Sequence, residues 1–519
     1  MNLTKVYSAT TVGLDSFLVE VEADIGRGLP NFLIVGLPDK AVSESKERIR
    51  SAINNSHAEF PRHRLTVNLA PADLKKEGSS FDLAVATAVL LANETIKSEK
   101  IPGRSLFLGE LALDGRLRPV SGVLAALLMA RQKKFEAVFL PAANAAEASL
   151  VTKIKIFPLE GLADFLAFLN DVKEIKPLSP QPLPSPTAHF DYDFAYVTGQ
   201  ENAKRALEVA AAGGHNILMS GPPGAGKTLL ARSLPSILPP LSREEILEVT
   251  KIYSVTGLLP SSFGVMVSPP FRAPHHTASN VALVGGGVNP RPGEITLAHP
   301  RPGEITLAHR GILFLDELPE FPRSVLEALR QPLEDGVVTV SRAAGAVTFP
   351  ASFILAAAKN PCPCGYLSDS LKDCTCSPAQ ILNYQKRISG PLLDRIDIHI
   401  EVPRVAQDKL LEEKVAEESA QIRERIIQAR AIQKQRFKEE PFCLNSEMKP
   451  RDLKKYLNLD EKCLNVLKEA ISKLNLSGRA YHRVLKISRT IADLAGSADI
   501  ISDNIAEALQ YRPPEKEYY

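Results

Sequence analysis

The chain has 519 residues, of which 45% are hydrophobic and 24% charged, with 62 basic and 60 acidic side chains. This ordinary globular composition excludes a chain that is disordered or fibrous over most of its length. At about 150 residues per domain, the length predicts roughly three structural units. Because the net charge is only +2, any binding to nucleic acid must depend on a local patch or ring of basic groups.

The start of the chain gives an expectation about location. The residues MNLTK lead into mixed polar sequence without the apolar core of a secretory signal. The longest apolar runs, such as residues 84–92, have about half the length that a membrane span requires. Six cysteines are too few for a disulfide scaffold. We therefore expect a cytoplasmic protein without a membrane partner.

A proline-rich stretch divides the predicted elements. Five prolines fall within ten residues, which favours an extended spacer, and we interpret residues 174–190 as a linker. Before it, residues 1–173 alternate strand-like runs, such as Asn31–Val35, with the polar, helix-compatible residues 40–54. This alternation predicts an α+β or α/β unit with its own core.

After the linker, residues 191–403 contain apolar runs without alternation, at residues 216–220, 312–315 and 353–358. Such runs are typical of a parallel sheet that is covered on both faces. Residues 404–519 have apolar side chains at helical spacing and are predicted to be helical. The fold class predicted for the chain is therefore α/β.

The segment GPPGAGKT matches the pattern G-x-x-x-x-G-K-[ST] at every fixed position, between an apolar strand and a helix-compatible run. Its glycines allow backbone N–H groups to surround phosphate oxygens. We expect Lys227 to reach the β- and γ-phosphates and Thr228 to bind Mg²⁺. The predicted nucleotide-binding residues are Gly221, Pro222, Pro223, Gly224, Ala225, Gly226, Lys227 and Thr228.

Two carboxylates end the second apolar strand. Asp316 is suited to the outer shell of Mg²⁺, and Glu317 is suited to be the base that orients an attacking water. Asn360 follows the third apolar strand and can polarise that water from beside the γ-phosphate, although an asparagine at a strand end is more often a turn former. The sequence thus predicts ATP and Mg²⁺ as cofactors.

Five motifs follow one another along the chain: GPPGAGKT, ILFLDE, NPCPCGY, GPLLDRID and SGRAYHR. In this order they resemble an AAA+ ATPase of the magnesium-chelatase-like branch, and more narrowly the bacterial competence-type family usually called ComM or YifB. The resemblance runs from residue 12 to residue 513. It implies a Lon-protease-like domain at 1–173, an AAA+ core at 191–403, a helical lid at 404–519, and a homo-hexameric ring with ATP at its subunit interfaces.

The resemblance also assigns three residues outside the phosphate loop. Arg395 lies at the position of the arginine finger that contacts a neighbour's γ-phosphate, and Arg479 at the position of the lid arginine called sensor 2. Gln200 lies where the family holds the adenine end of the nucleotide. Without the motifs, an arginine is more often part of a surface ion pair.

Three further features carry separate expectations. Two C-x-C pairs can supply four thiolates to a tetrahedral Zn²⁺, and the alternative is a pair of tight turns with free thiols. His275 and His276 are interpreted as a hydrogen-bonded loop corner. The decapeptide PRPGEITLAH occurs at 290–299 and again at 300–309, and we expect the second copy to occupy the structural position before the Asp316 strand. The candidate zinc ligands are Cys362, Cys364, Cys374 and Cys376.

The N-terminal domain resembles the proteolytic domain of Lon, with Ser80 at the place of the nucleophile. The lysine of the Lon dyad is replaced by Leu124, which cannot accept a proton. We therefore expect a retained fold without peptidase chemistry.

Three classes of activity stay open. Family members act as ring helicases that move DNA branch points during natural transformation, which makes single-stranded or branched DNA the expected partner. The alternatives are a metallochelatase motor subunit and an ATP-dependent Lon-like protease. Arg342, in a predicted hairpin, is a candidate DNA contact. The basic run at 423–436 is interpreted as a solvated helix face because acids are interleaved with it.

Overall fold

The computed structural model describes most of the chain, and contacts between residues divide it into two compact units. The first unit contains the described residues up to 179 and those between 242 and 267, and the second contains the others. The described residues are 3–37, 39–74, 76, 78–179, 190–260, 264–286, 302–342, 345–367, 369, 371–405 and 417–512.

A mixed sheet forms the centre of the first unit. The strands of this unit are β1 (Thr4–Val12), β2 (Asp15–Gly26), β3 (Asn31–Val35), β4 (Arg64–Ala70), β5 (Ser105–Phe107), β6 (Glu110–Leu111), β7 (Leu117–Arg118), β8 (Ala137–Pro141) and β9 (Lys155–Leu159). Within the described residues the sheet has seven strands in the order β3-β4-β2-β1-β5-β8-β9, and β6 and β7 form a separate short hairpin. The helices are Lys40–Asn55, Asp82–Ala92, Val123–Gln132, Ala145–Ala148, Leu162–Leu169 and Arg243–Thr256.

The helix Arg243–Thr256 comes from a later part of the sequence but packs with the first unit. A capping box between Ser242 and Glu245 fixes its start. The hydroxyl of Ser254 donates to the buried carboxylate of Glu147, and the Ser254 carbonyl accepts from the Gly122 N–H at 2.9 Å. Burial raises the pKa of Glu147. The segment therefore lies within the predicted range 191–403 in sequence but outside the second unit in space.

A parallel sheet forms the centre of the second unit. The strands of this unit are β10 (Ile217–Ser220), β11 (Phe271–Arg272), β12 (Ile312–Leu315), β13 (Val337–Arg342), β14 (Gly345–Pro350), β15 (Ile354–Lys359) and β16 (Ile398–Glu401). The order of the sheet within the described residues is β11-β12-β15-β10-β16, and every pair is parallel. The helices are Glu201–Gly213, Lys227–Ile237, Asn280–Val284, Glu304–Leu307, Arg323–Ala328, Arg330–Asp335, Pro378–Gln385, Gly390–Leu393, Ser419–Arg436, Pro450–Tyr456, Glu461–Lys473, Gly478–Leu494 and Ser502–Gln510.

The strand register brings three predicted site segments to one edge of this sheet. Ser220 at the end of β10 pairs with Lys359 at the end of β15, and Leu315 at the end of β12 pairs with Ala357. Because the strands are parallel, their carboxyl ends meet at the same edge, where ligands of open α/β sheets bind. The predicted parallel sheet with bare apolar strands is confirmed.

The basic run of the C-terminal region is not a solvated helix face, which corrects that expectation. It lies on the helix Ser419–Arg436, which packs against the core. Arg430 donates to the carbonyl of Ala211 at 2.6 Å, and Arg436 pairs with the buried Asp493 at 2.8 Å. These arginines hold the helix against the unit, and their guanidinium groups are committed to that role.

Two further expectations concern the surface of the molecule. The predicted hairpin is present as β13 and β14, paired antiparallel from Val337↔Pro350 to Arg342↔Gly345, but the side chain of Arg342 lies outside the described residues. Among the helices described, none combines the length and the apolar character needed to cross a membrane.

Candidate functional site

The phosphate loop joins β10 to the helix Lys227–Ile237, as the motif predicts. A Cβ atom on Gly221 would lie 2.1 Å from the Val402 carbonyl oxygen, so only glycine fits where the loop leaves the strand. Gly226 precedes the helix with a φ of 91°, which also favours glycine. The loop therefore ends at a helix N-terminus, where free N–H groups and the helix dipole favour a bound anion.

Lys227 lies at the centre of this edge and is buried, with 8% of its surface exposed. Its ammonium donates to the Gly221 and Pro222 carbonyls at 2.7 and 2.9 Å, and to Oδ1 of Asn360 at 3.2 Å. Burial lowers the pKa of Lys227, and the nearby charges of Asp316 and Glu317 oppose that shift. The structure therefore brings together the lysine, the strand-end asparagine and the two acids.

Oxygen ligands suited to a magnesium ion lie beside the lysine. The Thr228 hydroxyl donates to Oδ2 of Asp316 at 2.7 Å. A hydroxyl and a carboxylate are donors that Mg²⁺ prefers. The residues present thus fit the ion that the motif predicts.

Glu317 follows directly, in the left-handed backbone conformation with a φ of 52°. Such a conformation is unfavourable for a residue with a Cβ atom and is found most often at functional sites. Its carboxylate lies 3.4 Å from Nδ1 of His276. This contact was not predicted. His275 bonds to Thr277 at 2.9 Å, as the predicted loop corner would.

Gln200 lies next to the phosphate loop at the start of the helix Glu201–Gly213. Its side-chain amide donates to the Ala225 carbonyl at 3.3 Å and to the carbonyl of Pro403, which follows β16. The residue thus connects the loop with the end of the edge strand, at the border of the phosphate site.

Arg395 and Arg479 lie at the opposite edge of the sheet, where β10 and β16 begin. The Arg395 carbonyl accepts from the Asn216 side chain at 3.0 Å, and Asn216 directly precedes β10. The four residues of β10 then span about 13 Å before the phosphate loop begins. Arg479, which is 65% exposed, lies 3.5 Å from Asp394. The structure therefore does not bring either arginine to the phosphate loop of its own chain.

Two acids, Glu334 beside Arg395 and Asp394 beside Arg479, hold these arginines side by side. Arg395 forms an ion pair with Glu334 and donates to the Pro391 carbonyl at 2.7 Å. The hydrogen bond and charge of Arg395, together with the charge of Arg479, lower the pKa of Glu334. Within the part of the chain that the structure describes, Nε of Arg395 is buried without a hydrogen-bond partner. The contact with Glu334 could not be predicted from sequence, because 61 residues separate Glu334 from Arg395.

The four cysteines of the two C-x-C pairs form one cluster directly after Asn360. Their sulfur atoms all lie within 4.8 Å of one another. The Cys362 sulfur is 3.3 Å from that of Cys364 and 3.7 Å from that of Cys374. A tetrahedron with Zn–S bonds of about 2.3 Å has edges of about 3.8 Å, so the cluster is compatible with Zn²⁺.

The second copy of the decapeptide lies against the sheet where the structure describes it, from Pro302 onward. Arg272 of β11 forms two hydrogen bonds of 2.6 Å with Glu304. His309 is buried and accepts from the Ser352 N–H at 3.1 Å. The first copy, residues 290–299, lies outside the described residues.

Comparison with known proteins covers both units. The model described as "Magnesium chelatase, subunit ChlI" matches residues 193–300 and 299–410. The family model described as "Subunit ChlI of Mg-chelatase" matches residues 21–144. The one described as "Magnesium chelatase, subunit ChlI C-terminal" matches residues 416–512. Over 519 residues the chain is 44% identical to the "Competence protein ComM" of Haemophilus influenzae. The aligned region covers 99% of this chain and 98% of that protein.

The chain belongs to the ComM/YifB family of magnesium-chelatase-like AAA+ proteins. It is also 42% identical over 513 residues to the uncharacterized protein YifB of Salmonella typhimurium, covering 99% of this chain and 97% of that protein. A Lon protease of Mycolicibacterium smegmatis is 25% identical over 167 residues, which are 30% of this chain and 21% of that protein. The family and the fold class predicted from the motifs are confirmed.

One detail of the comparison concerns the repeat. The match to the central family model is broken into two pieces that meet at residues 299–300, which is the junction between the two copies of the decapeptide. A break at this point is expected if the family carries a single copy and this ComM/YifB member carries an additional one.

Proposed function

We propose that this ComM/YifB member is an ATP-hydrolysing ring motor that acts on DNA in the cytoplasm. In the cell it would move DNA branch points during natural transformation or recombination. The observation that carries the proposal is the division of the nucleotide machinery between two edges of one sheet. The full-length similarity to a competence protein supports the biological setting.

At the phosphate-loop edge, each side chain has a distinct task. Lys227 and the loop N–H groups bind the β- and γ-phosphates. Thr228 and Asp316 would hold Mg²⁺, which when bound would neutralise charge that develops on the phosphates. Glu317 accepts hydrogen bonds from the attacking water and orients it. Asn360 lies within hydrogen-bond distance of Lys227 and completes the polar surface around the γ-phosphate.

At the opposite edge, Arg395 and Arg479 serve the site of a neighbouring copy. They lie together, are partly free of internal hydrogen bonds, and are separated from their own phosphate loop by the length of β10. A closed ring places one edge of each subunit against the next. We infer a homo-hexamer in which these arginines stabilise the γ-phosphate charge across each interface.

DNA-stimulated hydrolysis is the direct test of the substrate class. We expect forked DNA to increase the ATPase rate of the wild-type chain, with Lys227→Ala as the control that shows background hydrolysis. Stimulation by a porphyrin-loaded partner protein and none by forked, four-way or single-stranded DNA would point to a metallochelatase motor and reject the proposal.

Zinc is proposed for the cysteine cluster, because four thiolates at tetrahedral spacing favour it. We expect the purified chain to contain about one zinc ion, measured by elemental analysis. Changing Cys374 and Cys376 together to Ser should remove the metal and lower the Tm, since structural zinc contributes to folding. Cys443→Ser, at an exposed cysteine outside the cluster, is the matched control and should retain the metal. A metal-free wild-type chain with full ATPase activity would contradict the assignment.

The extra decapeptide should be dispensable for folding. Because the two copies are identical and adjacent, deletion of 290–299 leaves one copy directly before β12. That copy can remake the Arg272–Glu304 contacts. The deletion halves the length of the two-copy stretch, and halving a flexible loop changes its closure free energy by only about 0.6 kcal/mol. We expect the Tm and basal ATPase rate of the one-copy chain to stay near wild type. A one-copy chain that does not fold or bind ATP would show that both copies are structural.

We also propose that the N-terminal unit has no peptidase chemistry. Leu124, at the dyad lysine position, is fully buried, and its N–H donates to Glu147 at 3.3 Å. Because its side chain is aliphatic, Leu124 cannot take a proton from Ser80. Covalent labelling of Ser80 by a fluorophosphonate probe would overturn this.

A further inference from the structure

In the motif NPCPCGY, the glycine after the second cysteine packs directly on the phosphate loop. Gly365 is buried, and a Cβ atom added to it would lie 2.5 Å from Cδ and 2.7 Å from Cγ of Pro223. We propose that Gly365 is a positioning residue, which supports the phosphate loop through the Pro223 ring and thereby sets the affinity for nucleotide. The inference rests on the proposed ATPase function and gives the segment around the cysteine cluster a role beyond holding a metal.

The contact between Gly365 and Pro223 tolerates no side chain on the glycine. Non-bonded carbon atoms are about 3.5–4.0 Å apart at their optimal separation, so a Cβ atom on residue 365 would push the proline ring away. Gly365 also has a φ of 84°, which glycine adopts without steric cost. Close approach and left-handed backbone are two separate requirements, and an experiment on this residue must distinguish them.

Gly365 is itself held in place by the cysteine cluster. Its N–H donates to the Cys362 carbonyl at 3.0 Å, which closes a tight turn. The Cys364 N–H donates to the Cys376 sulfur at 3.3 Å and so connects the two C-x-C pairs. Four thiolates around one metal ion would cross-link the same pairs. The position of Gly365 therefore depends on the cluster on either side of it.

A second set of contacts fixes the chain beyond Gly365. The centroid of the Tyr366 ring lies 4.2 Å from the Lys372 ammonium and 5.6 Å from the Arg404 guanidinium. The buried Asp369 carboxylate lies 2.7 Å from Nε of Arg404. Because Arg404 follows the edge strand β16, these contacts tie the segment to the sheet that also carries the phosphate loop. Gly365 can therefore act as a fixed support for that loop.

The supported part of the loop is the part that is expected to bind phosphate. Pro223 directly precedes residues 224–226, whose backbone N–H groups we expect to surround phosphate oxygens together with the helix N-terminus. One hydrogen bond to a charged group is worth about tenfold or more in affinity. Displacement of Pro223 should therefore weaken ATP binding even though Lys227 is unchanged.

Two single variants of the full chain separate the contact from the backbone strain, with the Kd for ATP measured by titration. Gly365→Ala should raise the Kd about tenfold or more, because the new Cβ atom displaces the Pro223 ring. Gly496→Ala is the matched control, since Gly496 has a φ of 66° and a Cβ atom there would meet no atom within 4 Å. This control carries similar backbone strain and should bind ATP like wild type.

A double variant tests whether the proline ring is the partner. Pro223→Ala removes Cγ and Cδ, and the backbone nitrogen of residue 223 is then the nearest atom named for that residue, 3.8 Å from the added Cβ atom. That distance is an ordinary van der Waals contact. Adding Gly365→Ala to the Pro223→Ala chain should therefore cause little further loss of affinity, a non-additive result that contacting residues give. If Gly365→Ala alone does not fold, the double variant should fold.

Three results would overturn the inference. They are a wild-type Kd in Gly365→Ala, an equal rise of the Kd in Gly496→Ala, and an undiminished loss of affinity or of folding when Gly365→Ala is added to Pro223→Ala. A wild-type chain that binds no ATP would reject the proposed function and this inference with it. A chain that hydrolyses ATP without a response to DNA would reject the DNA proposal alone, because the comparison of Kd values does not involve DNA.

Discussion

Glu317→Gln is expected to lower ATP turnover by about 10²–10⁴-fold, the usual contribution of a general base, while ATP binding and ring assembly persist. The amide keeps the shape of the side chain but has lost the negative oxygen that accepts the water proton. Lys227, Thr228 and Asp316 are unchanged in this variant, so the phosphates and Mg²⁺ keep their ligands. Steady-state ATPase rates, nucleotide-binding titration and native mass spectrometry measure the three quantities.

The control for this variant is Lys227→Ala, which should lose binding as well as turnover because the ammonium is the buried cation of the loop. Turnover at the wild-type rate in Glu317→Gln would remove Glu317 from its role as the base. Loss of binding in both variants would show that the Gln substitution disturbs the loop itself.

Arg395→Ala is expected to lose about 10³-fold or more in ATP turnover and to retain nucleotide binding by its own loop. The reason is geometric, since Arg395 lies at the edge of the sheet opposite to that loop. Mixing Arg395→Ala subunits with Lys227→Ala subunits should partly restore hydrolysis. In mixed rings, an intact Arg395 from one chain can face an intact loop from the other.

A matched control for this experiment is Arg451→Ala, which changes an arginine that is 75% exposed and paired with Asp452. It should hydrolyse ATP like wild type. Absence of rescue at every mixing ratio, with mixed assembly verified, would contradict action in trans. Rescue that depends on the mixing ratio would also establish the ring as the active form.

Much of the nucleotide site could be predicted because its determinants are local in sequence. The loop at 221–228 has a fixed spacing, and the strands that precede the loop, Asp316 and Asn360 are short apolar runs between turn residues. Parallel strands then bring the three segments to one edge, whatever the distance between them along the chain. Arg395 and Arg479 were assigned to the nucleotide site from the family motifs alone, because no local pattern distinguishes them from ordinary surface arginines.

The features that could not be predicted depend on contacts between distant segments. The strand β11 has only two residues, too few for a periodic pattern, so nothing indicated that His276 would lie beside Glu317. The helix Arg243–Thr256 is amphipathic like many others, and its packing with the first unit depends on buried hydrogen bonds to Glu147 and Gly122. The charge pattern of the C-terminal basic run similarly gave no sign that its arginines cap buried carbonyl and carboxylate groups.

Branch migration of a synthetic four-way DNA junction tests the central proposal most directly. The wild-type chain with ATP and Mg²⁺ should convert the junction to two duplex products. Neither the Glu317→Gln chain nor the wild-type chain with a non-hydrolysable ATP analogue should do so. Conversion by wild type that requires hydrolysis is the result predicted. A wild-type chain that hydrolyses ATP at its full rate but leaves the junction and forked substrates unchanged would contradict a DNA motor.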